Sequence, residues 1–99
     1  METGASLSTR DDWEKLQPAW VRCPLTVRER EIVREVACGY NNEEIGALFH
    51  ISTHTVHTHM YRARLKLRAP NRARLIALVF RYGILRWDGD RLLICADDL

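Results

Sequence analysis

His54, His57, Thr58, Tyr61, Arg62, Lys66 and Arg68 fall within one stretch, Ile51 to Arg68 (ISTHTVHTHMYRARLKLR), that contains no carboxylate. They are hydrogen-bond donors, cations and one aromatic ring, a set suited to a polyanion. Two other chemistries fit them less well. A metal site would need more ligands than His54 and His57 at i, i+3, because His59 points elsewhere and no Cys, Asp or Glu lies close in sequence; no metal or cofactor is expected. Catalysis lacks a glycine-rich phosphate loop, a GxSxG turn, paired carboxylates in a credible pocket, or a cysteine with an identifiable histidine partner, so no enzyme is expected.

The element that must position these groups is a helix. Val56, Met60, Ala63 and Leu67 recur at i, i+4, i+7 and i+11, one apolar stripe at helical period. The stripe turns the polar set outward. Ser52 is the expected N-cap, which leaves a helix start with partial positive charge where a DNA phosphate would sit if the helix lay in the major groove. The expectation is a reading helix over 52–68.

At 99 residues there is room for one small domain. No apolar run approaches the ~18 residues of a membrane span, and METGASLSTRDDWEK lacks the basic-then-apolar order of a secretory signal. A cytoplasmic protein without membrane contact is expected. Cys23, Cys38 and Cys95 are odd in number and form no CxxC, which supports neither a disulfide framework nor a zinc finger; they are expected to be small buried apolar residues. The net charge of +2 hides a separation: residues 1–44 carry nine acids and six bases, whereas Ile45 to Trp87 carry eight bases, all four histidines and no acid. A nucleic-acid partner for the second half follows.

Residues 1–7 are expected to be disordered. Ser8 to Gln17 can form a short helix, with Trp13 and Leu16 as an i, i+3 pair, ended by Pro18; Trp13 and Trp20 would cover one end of the core. Thr26 and Glu29 make a capping box for a helix whose inner face is Ile32, Val33, Val36 and Ala37, with Arg28 to Glu31, Arg34 and Glu35 mostly outward apart from Ile32 and Val33, and Gly39 ends it. Asn42 is expected to cap a shorter helix with Ile45, Leu48 and Phe49 inward. Gly46 within it implies close packing against another helix. His50-Ile51-Ser52 makes the turn of a helix-turn-helix. After Ala69-Pro70-Asn71, Arg72 to Tyr82 is a further helix, apolar nearly all round from Leu75 to Phe80, which needs cover from a second subunit or from the tail. Asp88-Gly89 predicts a hairpin in that tail, and Asp97-Asp98-Leu99 should fray.

The pattern resembles the LuxR/GerE-type DNA-binding domain found in many NarL-like response regulators. The residues that carry it are Leu25-Thr26, Arg28-Glu29-Arg30-Glu31, Gly39, Asn42-x-Glu44-Ile45, Ile51-Ser52, Thr55-Val56, His59, Lys66-Leu67, Asn71-Arg72-Ala73 and Tyr82-Gly83-Ile84. The resemblance implies an all-α fold of four helices, here with a short N-terminal helix and a small C-terminal β-hairpin. It divides the chain into an extension (1–24), the helix-turn-helix domain (25–85) and a tail (86–99). It implies a transcription regulator with double-stranded DNA as partner, the third helix in the major groove and the fourth as the contact of a homodimer through Leu75, Leu78, Val79 and Tyr82. His57, Thr58 and Tyr61 would meet base edges. Thr55, Arg62, Lys66 and Arg72 would contact phosphates or position the helix, with Ser52 and His54 at its open end, and Val56 would touch a thymine methyl or pack.

Three departures stand out: His57 in place of the family's usual lysine, Arg68 in place of glycine, and Arg62 in place of asparagine. Tyr61 to Arg68 is also similar to the end of region 4 of extracytoplasmic-function sigma factors, which admits a contact with RNA polymerase. With no receiver or ligand-binding domain in the chain, a stand-alone module is expected. An adaptor that meets a protein through Trp13, Trp20, Trp87 or the hairpin is the alternative of a different class. A DNA-facing His54 or His57 would gain charge as pH falls through about 6.5 and bind more tightly at about pH 6 than at about pH 8; a locally hydrogen-bonded histidine would not.

Overall fold

A computed structural model describes residues 23–94 of the chain, as four helices followed by a hairpin: α1 Val27–Ala37, α2 Asn42–Phe49, α3 Thr53–Leu67, α4 Arg72–Arg81, β1 Leu85–Asp88 and β2 Arg91–Ile94. The expected helix over 8–17, Trp13, Trp20, Cys95 and the last three residues lie outside the described part.

Helix α1 starts as its sequence dictates. The Glu29 amide donates to Thr26 Oγ1 at 3.1 Å while the Thr26 amide donates to Glu29 Oε1 at 2.9 Å, the reciprocal pair of a capping box. Ile32 and Val33 are fully buried. Glu29 and Arg30, expected to point outward, are instead 2% and 7% exposed. The reason for Glu29 is tertiary: Lys66 of α3 reaches over this turn and donates to the same Oε1 at 2.8 Å. Cys38, expected to be buried, forms the exposed C-cap of α1, and Cys23 is only half-buried.

A second capping box opens α2, and it corrects the expected cap by one residue. Asn41 Oδ1 accepts from the Glu44 amide at 2.8 Å, and Glu44 Oε1 from the Asn41 amide at 2.9 Å, so Asn42 is the first helical residue. Ile45 is buried, but Leu48, expected to face inward, is 56% exposed. Phe49 is half-buried, with the Arg28 guanidinium 4.6 Å from its ring centre. The helix closes on His50 in the left-handed region at φ 58.

The stripe on α3 is buried as predicted: Val56 and Ala63 fully, Met60 and Leu67 to 4%. On α4, Asn71 caps by accepting from the Arg74 amide at 2.8 Å, and Leu75, Leu78 and Val79 join the core. The cover that this helix needs comes in part from the tail, because β1 packs on α4, β2 packs on α1, and Ile84, Leu85 and Leu92 are buried.

The hairpin pairs Leu85 with Ile94, Arg86 with Leu93, Trp87 with Leu92 and Asp88 with Arg91. Its two-residue loop is therefore Gly89-Asp90, one position later than the expected Asp88-Gly89. Gly89 at φ 65 takes the first central position, and Asp90 keeps an ordinary negative φ, which is the arrangement of a type II′ turn.

Candidate nucleic-acid interface

The α2–α3 turn is tight because of one residue. A Cβ built on Gly46 would lie 2.7 Å from the carbonyl oxygen of Ile51, and the Ile51 amide donates to Gly46 O at 2.9 Å. The close approach inferred for Gly46 is real; its partner is the backbone of the turn, not a helix face. This contact sets where α3 begins. Ser52 Oγ accepts from the Thr55 amide at 2.9 Å and shares a hydroxyl bond with Thr55 Oγ1 at 2.8 Å, so both side chains hold the helix start.

Beyond that start, α3 presents three regions around its exposed side. The outermost holds His54, Thr58, Tyr61, Arg62 and Leu65; Tyr61 is 49% and Leu65 59% exposed. Thr58 Oγ1 donates back to His54 O at 3.1 Å. The side chains of His54, His57, Tyr61 and Arg62 make no hydrogen bond or ion pair within the described residues. The flank toward α1 holds Lys66, whose Nζ is tied to Glu29 and whose side chain is 35% exposed. Val56 is wholly buried and offers no surface to a thymine methyl, which corrects its expected place among the contact residues: it packs.

The flank toward α4 holds His57 and Arg64. Together with Met60, Tyr61 and Arg72 they line a cleft of about 170 Å³. Arg72 Nη1 donates to Asn42 Oδ1 at 3.0 Å, which ties the first turn of α4 to the first turn of α2. Arg64, which sequence reasoning did not assign, donates through Nε to Ala69 O at 3.3 Å and through Nη2 to Pro70 O at 2.6 Å. Its signal was its place in the last turn of a helix, where free carbonyls attract a cation.

The electrostatics are one-sided. The α1 carboxylates Glu29, Glu31 and Glu35 pair with Lys66, Arg28 and Arg34 at 2.8, 3.4 and 3.1 Å. Arg62, Arg64 and Arg72 have no carboxylate at ion-pair distance among the described residues. Burial raises the Tyr82 hydroxyl above its usual range, opposed by Arg68 and Arg81. No three His, Cys, Asp or Glu side chains converge among the described residues.

Of the residues expected at a dimer contact, Leu75, Leu78 and Val79 are buried within the chain's own core at 0%, 4% and 0% exposure, and Tyr82 is half-buried. The apolar side chains that α4 leaves at its surface are Ala73, Ile76, Ala77 and Phe80, the second and fourth partly covered, beside the exposed Arg72, Arg74 and Arg81.

A family model described as "Bacterial regulatory proteins, luxR family" matches residues 23–79. The chain is 35% identical over 63 residues to the "Uncharacterized transcriptional regulatory protein YxjL" of Bacillus subtilis (strain 168), covering 64% of this chain and 29% of that protein. It is 36% identical over 62 residues to the "Response regulator protein VraR" of Staphylococcus aureus (strain Mu3 / ATCC 700698), covering 63% of this chain and 30% of that one. The fold is also similar to that in the crystal structure of the phage VqmA-DPO complex, with a TM-score of 0.59 at 25% identity over 84% of this chain and 37% of that chain. The chain thus spans about three-tenths of the length of these curated relatives. With more than half of its residues matched, including both helices of the helix-turn-helix, the chain belongs to the luxR family of bacterial regulatory proteins.

Proposed function

We propose that this chain binds duplex DNA and regulates transcription, with α3 lying in the major groove. The observation that carries the reading is the exposed side of α3, where the side chains of His54, His57, Tyr61 and Arg62 have no hydrogen-bond partner and no acid beside them among the described residues. His57, Thr58 and Tyr61 read base edges; the Thr58 hydroxyl, while it donates to His54 O, keeps lone pairs that can accept from a base. Arg62 and Arg72 contact phosphates, and Ser52 and Thr55 position the helix start. Lys66 contributes its charge from a position fixed by Glu29. The protein acts as a cytoplasmic regulator, not as an enzyme; no helix of the described residues is long and apolar enough to cross a membrane. A homodimer through α4 would use the Ala73, Ile76, Ala77 and Phe80 surface and would favour half-sites about one helical turn apart. A second reading, a protein contact such as RNA polymerase or another partner, is favoured by Trp87, which stands 54% exposed on the hairpin.

The test is fluorescence-anisotropy binding to a pool of random duplexes across a salt series, with Arg62→Ala as control. Log affinity should fall with log salt by about 0.9 for each phosphate contacted, and less steeply in the control. Absence of binding at low salt would end the reading and leave the protein partner.

A further inference from the structure

We infer that the cleft between α3 and α4 is a clamp for a single backbone phosphate of duplex DNA, closed by Arg64 and Arg72 from opposite walls. The inference rests on the proposed DNA-binding function and assigns to it a residue, Arg64, and a place. Three observations point the same way. The cleft, about 170 Å³, is lined by His57, Met60, Tyr61, Arg64 and Arg72, of which four can donate hydrogen bonds and none is a carboxylate. Both guanidiniums are held from behind by neutral oxygens: Arg64 by Ala69 O and Pro70 O, Arg72 by Asn42 Oδ1. Neither is neutralised by a carboxylate among the described residues.

Holding a guanidinium through a neutral acceptor fixes its direction and leaves its charge unspent. Arg64 uses Nε and Nη2 in this way, which leaves Nη1 free; Arg72 uses Nη1, which leaves Nε and Nη2. These donors match a phosphate, which accepts from planar guanidinium forks. Tyr61 and His57 add two donors from the side of the cleft that continues into the outer face of α3. A phosphate seated here would fix the rotation of α3 about its own axis, and so which of His54, Thr58 and Arg62 meets which base.

A free phosphate or a phosphorylated small molecule presents the same oxygens, and the experiment separates the sources. A duplex selected from a random pool is rebuilt with a neutral methylphosphonate at each phosphate in turn. Each duplex is titrated with the wild-type chain, Arg64→Gln, Arg72→Gln and Tyr61→Phe, all checked for wild-type melting. The expected result is one phosphate whose neutralisation weakens wild-type binding about tenfold and scarcely weakens binding by Arg64→Gln or Arg72→Gln further, the non-additivity of a direct contact. The salt slope of each arginine variant should be shallower by about 0.9. If Arg64→Gln melts early, Arg72→Gln and Tyr61→Phe carry the same cycle.

Multiplicative losses at every phosphate, with Arg62→Ala still weakening binding, would overturn the clamp and leave the DNA-binding reading intact. No wild-type binding to any duplex would overturn both. Saturable binding of inorganic phosphate without DNA, undiminished by excess duplex, would assign the cleft to a free anion and overturn the phosphodiester assignment.

Discussion

Replacing Lys66 by methionine should destabilise the fold before it tells anything about DNA. Glu29 Oε1 accepts from two donors, the Thr26 amide at 2.9 Å and Lys66 Nζ at 2.8 Å, and the glutamate side chain is 3% exposed against 35% for the lysine. Without Lys66 the carboxylate is left buried with only the cap to hold it. Breaking a fully buried pair from one side costs about 3–5 kcal/mol. Water reaches the lysine end, so screening reduces the figure to about 1–2 kcal/mol. For a domain of this size that is a loss of roughly 5–15 °C in melting temperature. Glu29→Gln keeps an oxygen for the Thr26 amide and loses the charge, so it should cost less than Glu29→Ala, which also forfeits the cap, itself worth about 1 kcal/mol. Thermal unfolding followed by circular dichroism on both singles and on Glu29→Gln/Lys66→Met gives the coupling directly: the double should be more stable than the sum of the singles implies. The reasoning fails if Lys66→Met melts with the wild type while losing duplex affinity as Arg62→Ala does, because Lys66 would then be a phosphate ligand and no part of the fold.

Three further outcomes follow from local geometry. Gly46→Ala gains about 1 kcal/mol of helix propensity but drives a methyl to 2.7 Å from Ile51 O, so a net loss of about 1–3 kcal/mol in denaturant unfolding is expected; equal stability would mean that the turn yields freely. Arg68, the C-cap of α3, sits in the left-handed region at φ 57, so Arg68→Gly should raise stability by roughly 0.5–1 kcal/mol, and a lower melting temperature would show that the arginine side chain outweighs the strain. Partial desolvation of the Cys38 thiol at the exposed end of α1, and then Glu35, push it up, with Arg34 opposing. Thiolate, the reactive form, therefore appears only at higher pH than in a free cysteine: in a Cys23→Ser/Cys95→Ser background, the pH-rate profile of alkylation should be displaced upward, and Glu35→Gln should move it down.

What could be read from the sequence was whatever a few neighbouring residues decide. The apolar stripe of α3, the Thr26–Glu29 box and the Ser52 cap all lie within one or a few helical turns, and each is found as expected. The misplacements have local rivals or distant causes. Asn41 and Asn42 are equally good caps by type, and only the reach of Glu44 back to Asn41 decides between them. Asp88-Gly89 and Gly89-Asp90 are both favoured hairpin loops, of types I′ and II′, and the choice rests on the strand register that buries Leu85 and Leu92. Glu29 is buried by a lysine 37 positions later, which no local pattern contains. Likewise the polar face of α3 was legible as a face, but not how it divides: Lys66 goes to α1, and Arg64 turns toward Ala69, Pro70 and the cleft it shares with Arg72.

That division bears on how the outer face can vary. Thr53, Thr55, Thr58 and three histidines make α3 a poor helix by propensity, so it must be held by packing. The buried stripe, the Lys66–Glu29 tie on one flank and the bonds from Arg64 to Ala69 O and Pro70 O on the other supply that hold, and the side chains between the flanks are left out of it. His54→Ala, Tyr61→Ala and Arg62→Ala should therefore each move unfolding free energy by no more than about 0.5 kcal/mol, while changing which duplexes are selected from a random pool or how steeply affinity falls with salt. Cooperative unfolding measured beside selection on the same three variants checks this. A variant that loses stability by more than about 1 kcal/mol would show that the outer face also holds the helix, and the separation between what supports α3 and what reads through it would be wrong.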